Sequence, residues 1–278
     1  MPIALVTDSN SQLPAELAER FDVEVVPISV IVDGKEYFEG VDLDADGFYA
    51  FFADGHVPEV STSQPSPGMF IEAYQRCIAR GCDEIVSIHV TDAFSGTLNS
   101  ARLAAQAVDV PVHLVDTGSA SFGISCCVWQ AGLALADGTG TAGAVAAATE
   151  ASQGLYSVSA IGVSKLFNRV AFGSDGPDKS GDGVEMLATE PDGTFQMLGK
   201  GHSADEVCDR MAAAMQLNGE PIRVALGIAD ESATPYYEGL ESRLADRDDV
   251  VEIVRYRIGP SVGAFFGPGT AGGFWYRA

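Results

Sequence analysis

Three times in its first half, the chain passes from a short apolar stretch into a cluster of hydroxyl residues and then into a segment of helical spacing. The apolar stretches are Ile3 to Val6, Glu84 to Val90 and Val112 to Val115. They run into Thr7-Asp8-Ser9-Asn10-Ser11, Thr91-Asp92-Ala93-Phe94-Ser95-Gly96-Thr97 and Asp116-Thr117-Gly118-Ser119. Strand, polar loop and helix in repetition leave few solutions, because a helical crossover returns the chain parallel to the strand it left. The expectation is an α/β domain with a parallel sheet. In such a sheet ligands bind outside the carboxyl ends of the strands. The three hydroxyl-rich loops are therefore expected along one edge.

The other elements follow from the same periodicities. Residues 13–21 read as a short helix, and 23–32 as an apolar, β-branched run interrupted by Pro27. Asp33-Gly34 is a hairpin turn, with 35–38 as the returning strand. Residues 44–54 carry Phe48, Phe51 and Phe52 at helical spacing, and 98–108, 122–136 and 141–153 are further helices. After about residue 154 the pattern changes. Strands are expected at 155–163, 184–187, 194–198, 222–228 and 250–256, and helices at 203–217 and 235–246. Residues 173–183 read as a polar turn region, 259–269 as a rigid Gly/Pro loop, and 270–276 as a last apolar segment. The reading is two domains: an N-terminal Rossmann-like α/β domain over 1–153 and a C-terminal α+β or α/β domain over 154–278.

The formal net charge of −23, from 39 Asp and Glu against 16 Lys and Arg, argues against nucleic acid and against electrostatic binding to an anionic membrane surface. No apolar run is long enough to span a bilayer, so stable membrane insertion is not expected. Met1 to Val6 leads straight into Asp8 without a charged region and long apolar core, so a cytoplasmic location is expected. The five cysteines are odd in number and match no zinc spacing, and reduced, buried thiols are expected. The four histidines include no pair at ligand spacing, so no metal is expected. His89 and His113 fall in expected strands and read as structural. Neither Gly-x-Gly-x-x-Gly nor Gly-x-x-x-x-Gly-Lys-Ser/Thr occurs in the hydroxyl loops, which leaves a nucleotide site without a motif.

Ser61-Thr62-Ser63-Gln64-Pro65-Ser66-Pro67-Gly68 concentrates the chemistry. Ser66 reads as an N-cap and Pro67 as the first residue of a helix ending near Arg80. A plain capped surface helix accounts for those two residues. The hydroxyls just ahead of it also suit an anion, because a helix N-terminus leaves its first N–H groups unpartnered. Ser95-Gly96-Thr97 repeats that arrangement before the next helix. If the two loops meet, they surround one small anionic group, such as a carboxylate, with O–H and N–H donors. Ser95 at a strand-to-helix turn also admits an acyl hydrolase or transferase reading. It lies outside Gly-x-Ser-x-Gly, and no His and Asp partners stand out.

The chain resembles the DegV family. The likeness is carried by Thr7-Asp8-Ser9, Val26-Pro27, Tyr37-x-x-Gly40-x-Asp42, Thr62-Ser63-Gln64-Pro65-Ser66, Ser95-Gly96-Thr97 and Gly267-Pro268-Gly269, in family order. The resemblance implies two α/β domains with a long acyl chain buried between or beneath them, as in the fatty-acid-binding subunits of bacterial fatty acid kinase. It implies that Thr62 and Ser95 hold the carboxylate, with Ser63, Gly96 and Thr97 as neighbours. It implies a separate kinase subunit that phosphorylates the bound acid. The bound lipid would be the only ligand, no cofactor would be needed, and the chain would do no chemistry itself. Arg169, in a segment reduced to Phe167-Asn168-Arg169-Val170, would keep an arginine near the head group. Phe265 stands where the family usually has a His two residues before the final Gly-Pro-Gly, which leaves room for a diverged small-molecule-binding module without kinase coupling.

Overall fold

The structure, a computed structural model, describes residues 2–162, 183–191 and 194–278. Arg169 and most of the 173–183 turn region lie outside the described residues. The chain divides into two compact units, one of Met1–Asp42 with Ser61–Gln153 and the other of Leu43–Val60 with Gly154–Ala278.

In the first unit, β1 (Ile3–Asp8), β2 (Val23–Val26), β6 (Glu84–His89) and β7 (Val112–Asp116) form a sheet in the order β2-β1-β6-β7. Every pair in it is parallel, with Thr7 opposite Ile88 and His89 opposite Asp116. Helices cover both faces, which is why these strands read as continuous apolar runs. α3 (Pro67–Ala79) and α4 (Thr97–Ala105) pack Phe70, Ala73, Tyr74, Ala101 and Ala104 against Ala4, Val6 and Ile85. α5 (Phe122–Ala136) and α6 (Gly140–Gln153) pack on Leu5, Val86 and Ile88, which point to the opposite face in the alternation of a strand. A short helix, α1 (Ala15–Arg20), links β1 to β2.

The expected hairpin joins β3 (Ser29–Val32) to antiparallel β4 (Lys35–Phe38). Asp33 and Gly34 both have positive φ, as a two-residue hairpin turn requires. β5 (Val60–Ser63) adds to β3 to make a three-stranded sheet, in the order β4-β3-β5. Here the structure differs from the expectation of a loop, since Ser61, Thr62 and Ser63 lie in a strand. The polar sequence conceals it because its place as a strand comes from pairing with β3, a partner distant in sequence. Ser66 caps α3 as expected, with its Oγ accepting the Met69 N–H at 3.4 Å.

The second unit is built on a mixed six-stranded sheet. β8 (Tyr156–Ile161), β9 (Val184–Thr189), β10 (Phe195–Gly201), β11 (Ile222–Ile228), β12 (Val250–Arg257) and β13 (Ala271–Arg277) take the order β10-β9-β8-β13-β11-β12. Only β11 and β12 are parallel. α7 (Ala204–Ala214) and α8 (Thr234–Leu244) bury Val207, Met211, Leu240 and Leu244 on one face of this sheet. The 259–269 stretch contains a helix, α9 (Pro260–Phe266), where the sequence suggested a loop. Pro260 suits the first helical turn, and Gly267 stops the helix at φ 73, which a side chain tolerates poorly.

A single cut at 153/154 separates most of the two units, but α2 (Ala45–Ala50) belongs to the second. Its anchors explain why. The Tyr49 hydroxyl donates to the Ile258 carbonyl at 2.9 Å. A side chain at Gly263 would collide with Phe48 and Tyr49, so α2 and α9 pack through that glycine. Phe48 is fully buried and stacks edge-on to Tyr49 and Phe52. Phe48→Ala is therefore expected to cost about 3–5 kcal/mol in urea unfolding, with hydrogen exchange rising in α2 and α9 together. Unchanged exchange in α9 would show that α2 does not support it.

Candidate functional site

The carboxyl ends of β1 and β6 and the helix α3 are joined by a buried hydrogen-bonded chain. Asp8 and His89 are both fully buried, and Asp8 Oδ2 lies 2.8 Å from His89 Nδ1. The same oxygen accepts the Val90 N–H at 3.2 Å, and Oδ1 accepts the Asn10 N–H at 3.1 Å. His89 Nε2 is 2.6 Å from Ser87 Oγ, which is 2.9 Å from the Tyr74 hydroxyl. Burial pushes the Tyr74 phenol up to about 12, so it keeps its proton through the physiological range. The Phe70 ring closes the site edge-on, with its centroid 5.0 Å from that of the imidazole. His89 is the structural histidine that its strand position suggested. Its partners were not legible, because Asp8 is 81 residues away.

The three polar loops hang from this chain. Thr7 Oγ1 donates to the Ile88 carbonyl and Thr117 Oγ1 to the His89 carbonyl, each at 2.8 Å. The Thr91 N–H donates to the Ser119 carbonyl at 3.0 Å, and the Ser121 N–H to Asn10 Oδ1 at 3.0 Å. They lie along one edge of the sheet, where the parallel topology puts them.

Ser95 and Gly96 precede α4, and Thr97 is its first residue. Ser95 Oγ is 2.8 Å from Thr97 Oγ1 and accepts the Thr97 N–H at 3.3 Å. When Thr97 donates between the two hydroxyls, Ser95 accepts twice and its own hydrogen is left for an outside acceptor. Gly96, the N-cap of α4, has no side chain to bond the first turn, and Ser95 Oγ meets the Thr97 N–H instead.

The segment around Thr62 and the segment around Ser95 do meet. The Gln64 side chain lies directly over Gly96, where an added Cβ would come within 2.0 Å of Gln64 Oε1. Gln64 Nε2 also reaches Ser100 Oγ at 3.4 Å. Gly96 has an ordinary φ of −73, so glycine is needed here for close approach rather than for backbone freedom. Thr62 is half-buried and Ser63 exposed. Gln64 is the site residue that sequence reasoning passed over, although it stands between the two groups of hydroxyls in the motif itself.

Two other candidates belong to neither of these segments. Phe265 is a half-buried residue of α9, in the second unit. Arg169 lies outside the described residues. Ser95 is not paired with a base: both nitrogens of His89 are taken, by Asp8 and Ser87, and His113 pairs with Glu84 at 3.1 Å. Among the described residues no group of His, Cys, Asp and Glu is placed to hold a metal ion, and no helix is long and apolar enough to cross a membrane. All five cysteines are free thiols, four buried and Cys82 partly so.

Comparison with known proteins gives a consistent result. The model of the DegV family matches residues 2–166, which include Thr62 and Ser95. A DegV domain-containing protein from Streptomyces coelicolor is 29% identical over 276 residues, spanning 97% of this chain and 96% of its own. One from Listeria innocua is 41% identical over 107 residues, 38% of each chain. Among solved structures, a DegV family protein from Thermus thermophilus, described by its fatty acid binding, superposes over the full length of both chains. Its TM-score is 0.85 and its identity 25%. A stearic-acid-binding protein from Eubacterium ventriosum shares the fold at 22% identity, with a TM-score of 0.85 over 100% of this chain and 98% of its own.

Replacing Gly96 by alanine is expected to turn the exposed Gln64 side chain away while changing stability by less than about 1 kcal/mol. The side-chain amide resonances of Gln64 should shift while the circular dichroism stays the same. Unmoved Gln64 resonances would mean that the two segments are not in register through this contact.

Proposed function

The chain belongs to the DegV family, and on that premise we propose that it binds a long-chain fatty acid whose carboxylate is held by Thr62 and Ser95. The observation that supports the reading is Gln64 seated on Gly96, a contact two residues after Thr62 and one after Ser95. Thr62 Oγ1 has no protein partner among the described residues, and Ser95 has a hydrogen to give when Thr97 is the donor between the two hydroxyls. Two hydroxyl donors and a helix N-terminus suit a small anion without a fixed cation. Ser63, Gly96 and Thr97 shape that end of the site. An acyl tail adds roughly 0.8 kcal/mol for each buried CH₂, so the tail supplies affinity and the polar end orientation. The solved relatives named for fatty acid binding support the same ligand class.

The chain presents the acid to a separate kinase subunit rather than acting on it. Among the described residues Ser95 has no base within hydrogen-bond reach, and the sequence has no Gly-x-x-x-x-Gly-Lys-Ser/Thr to cradle a nucleotide. Where the family usually has a histidine this chain has Phe265, whose side chain carries no hydrogen-bonding group.

Native mass spectrometry of the purified chain should reveal a co-purifying fatty acid. Thr62→Ala and Ser95→Ala should each weaken palmitate binding about tenfold or more, the loss expected for a hydrogen bond to a charged group. Palmitate-loaded chain given ATP alone should form no acyl phosphate. Absence of any acyl ligand, equal affinity in both variants, or acyl phosphate made without a partner would each contradict the corresponding part of the proposal.

A further inference from the structure

We infer that the buried chain Tyr74–Ser87–His89–Asp8 is a positioning device for the head-group site, which fixes His89 as a neutral imidazole and holds the 91–97 loop through Asp8. The inference rests on the fatty-acid reading for what that loop grips.

Counting hydrogens gives the direction of the chain. An ionised carboxylate only accepts, and Asp8 accepts from Asn10, Val90 and His89, so the Nδ1 of His89 carries a proton. Nε2 faces Ser87 Oγ, which has one hydrogen to place, and Tyr74 has no other partner among the described residues. With the imidazole neutral, Tyr74 donates to Ser87 and Ser87 donates to Nε2, so every hydrogen has an acceptor. With the imidazole protonated, Nε2–H must donate to Ser87, which then either gives its own hydrogen to Tyr74 or accepts from Tyr74 as well. Either way one buried hydroxyl hydrogen, that of Tyr74 or that of Ser87, is left without a partner among the described residues, which is unfavourable in a dry interior. The groups facing the imidazole are Asp8 from β1, Ser87 from its own strand, and Tyr74 and the Phe70 ring from α3. Asp8 is the charged member of that set.

The consequence reaches Ser95 in a few bonds. The oxygen of Asp8 that meets His89 Nδ1 also accepts the Val90 N–H, the first backbone donor beyond β6. The next residue, Thr91, gives its N–H to Ser119 and accepts the Ser95 N–H on its carbonyl at 3.2 Å. Asp8 therefore sets where the loop leaves the sheet, and Thr91 sets where Ser95 comes to rest. His89 and Asp8 act through this loop rather than by touching the ligand.

Two measurements test the inference. The imidazole nitrogen chemical shifts of His89, recorded between about pH 6 and 8, should report a neutral ring protonated at Nδ1 throughout. A protonated ring, or a proton on Nε2, would overturn the inference, and this measurement requires neither a variant nor a ligand. Asp8→Asn should lower the ratio of palmitate to hexadecanol affinity about tenfold and leave hexadecanol binding unchanged. Equal weakening of both ligands would mean that Asp8 only supports the fold and would overturn the positioning role. If the unmutated chain binds neither ligand, the fatty-acid reading fails, and the imidazole shifts still decide the chain. They decide it equally if Asp8→Asn does not fold.

Discussion

Asp8 places a carboxylate at the end of a parallel strand where no solvent reaches it. An unpaired charge there would cost several kcal/mol, so the surroundings must answer it. Two backbone N–H groups and an imidazole do so, drawn from the turn after β1 and from β6. The answer constrains much of the first unit. It fixes how far β6 runs before its loop begins. It places His89 so that its carbonyl receives Thr117 from β7. It also requires Ser87 and Tyr74 to complete the imidazole on its far side. One buried charge thereby ties three strand ends and α3 into a single hydrogen-bonded frame. The loops at those ends are free to carry polar groups because the frame beneath them is fixed.

On that frame the candidate site is assembled from close approach rather than from charge. Gly96 has no side chain, and Gln64 fills the space that one would occupy. This seats Gln64, just past the edge strand β5, against the start of α4. The polar groups of the two segments are neutral hydroxyls and an amide, weak singly and directional together. Such a site is suited to orienting a ligand whose affinity comes from elsewhere, as with a long apolar tail.

The sequence is most informative where local chemistry decides the structure. Asp33-Gly34 fixed a hairpin, Ser66-Pro67 fixed a helix start, and the repeated strand-to-hydroxyl-loop pattern fixed the parallel order of the main sheet. The hydroxyls proposed for the site come from the sequence for the same reason, since they cluster in short motifs. What stayed hidden depends on distant partners. Val60–Ser63 is too polar to read as a strand and is one only because β3 accepts it. Pro260–Phe266 is too rich in small residues and proline to read as a helix, and it is held by Phe48 and Tyr49 packed at Gly263. The same contact draws Leu43–Val60 into the second unit across a chain separation that no window can span. The partnership of Asp8 with His89 is hidden likewise, though both residues are individually conspicuous.

If one carboxylate is shared between Thr62 and Ser95, a crystal structure of the chain bound to palmitate will show a carboxylate oxygen within hydrogen-bond distance, about 2.5–3.0 Å, of both Thr62 Oγ1 and Ser95 Oγ. A palmitate whose carboxylate lies away from these two hydroxyls, with Gln64 still seated on Gly96, would contradict it.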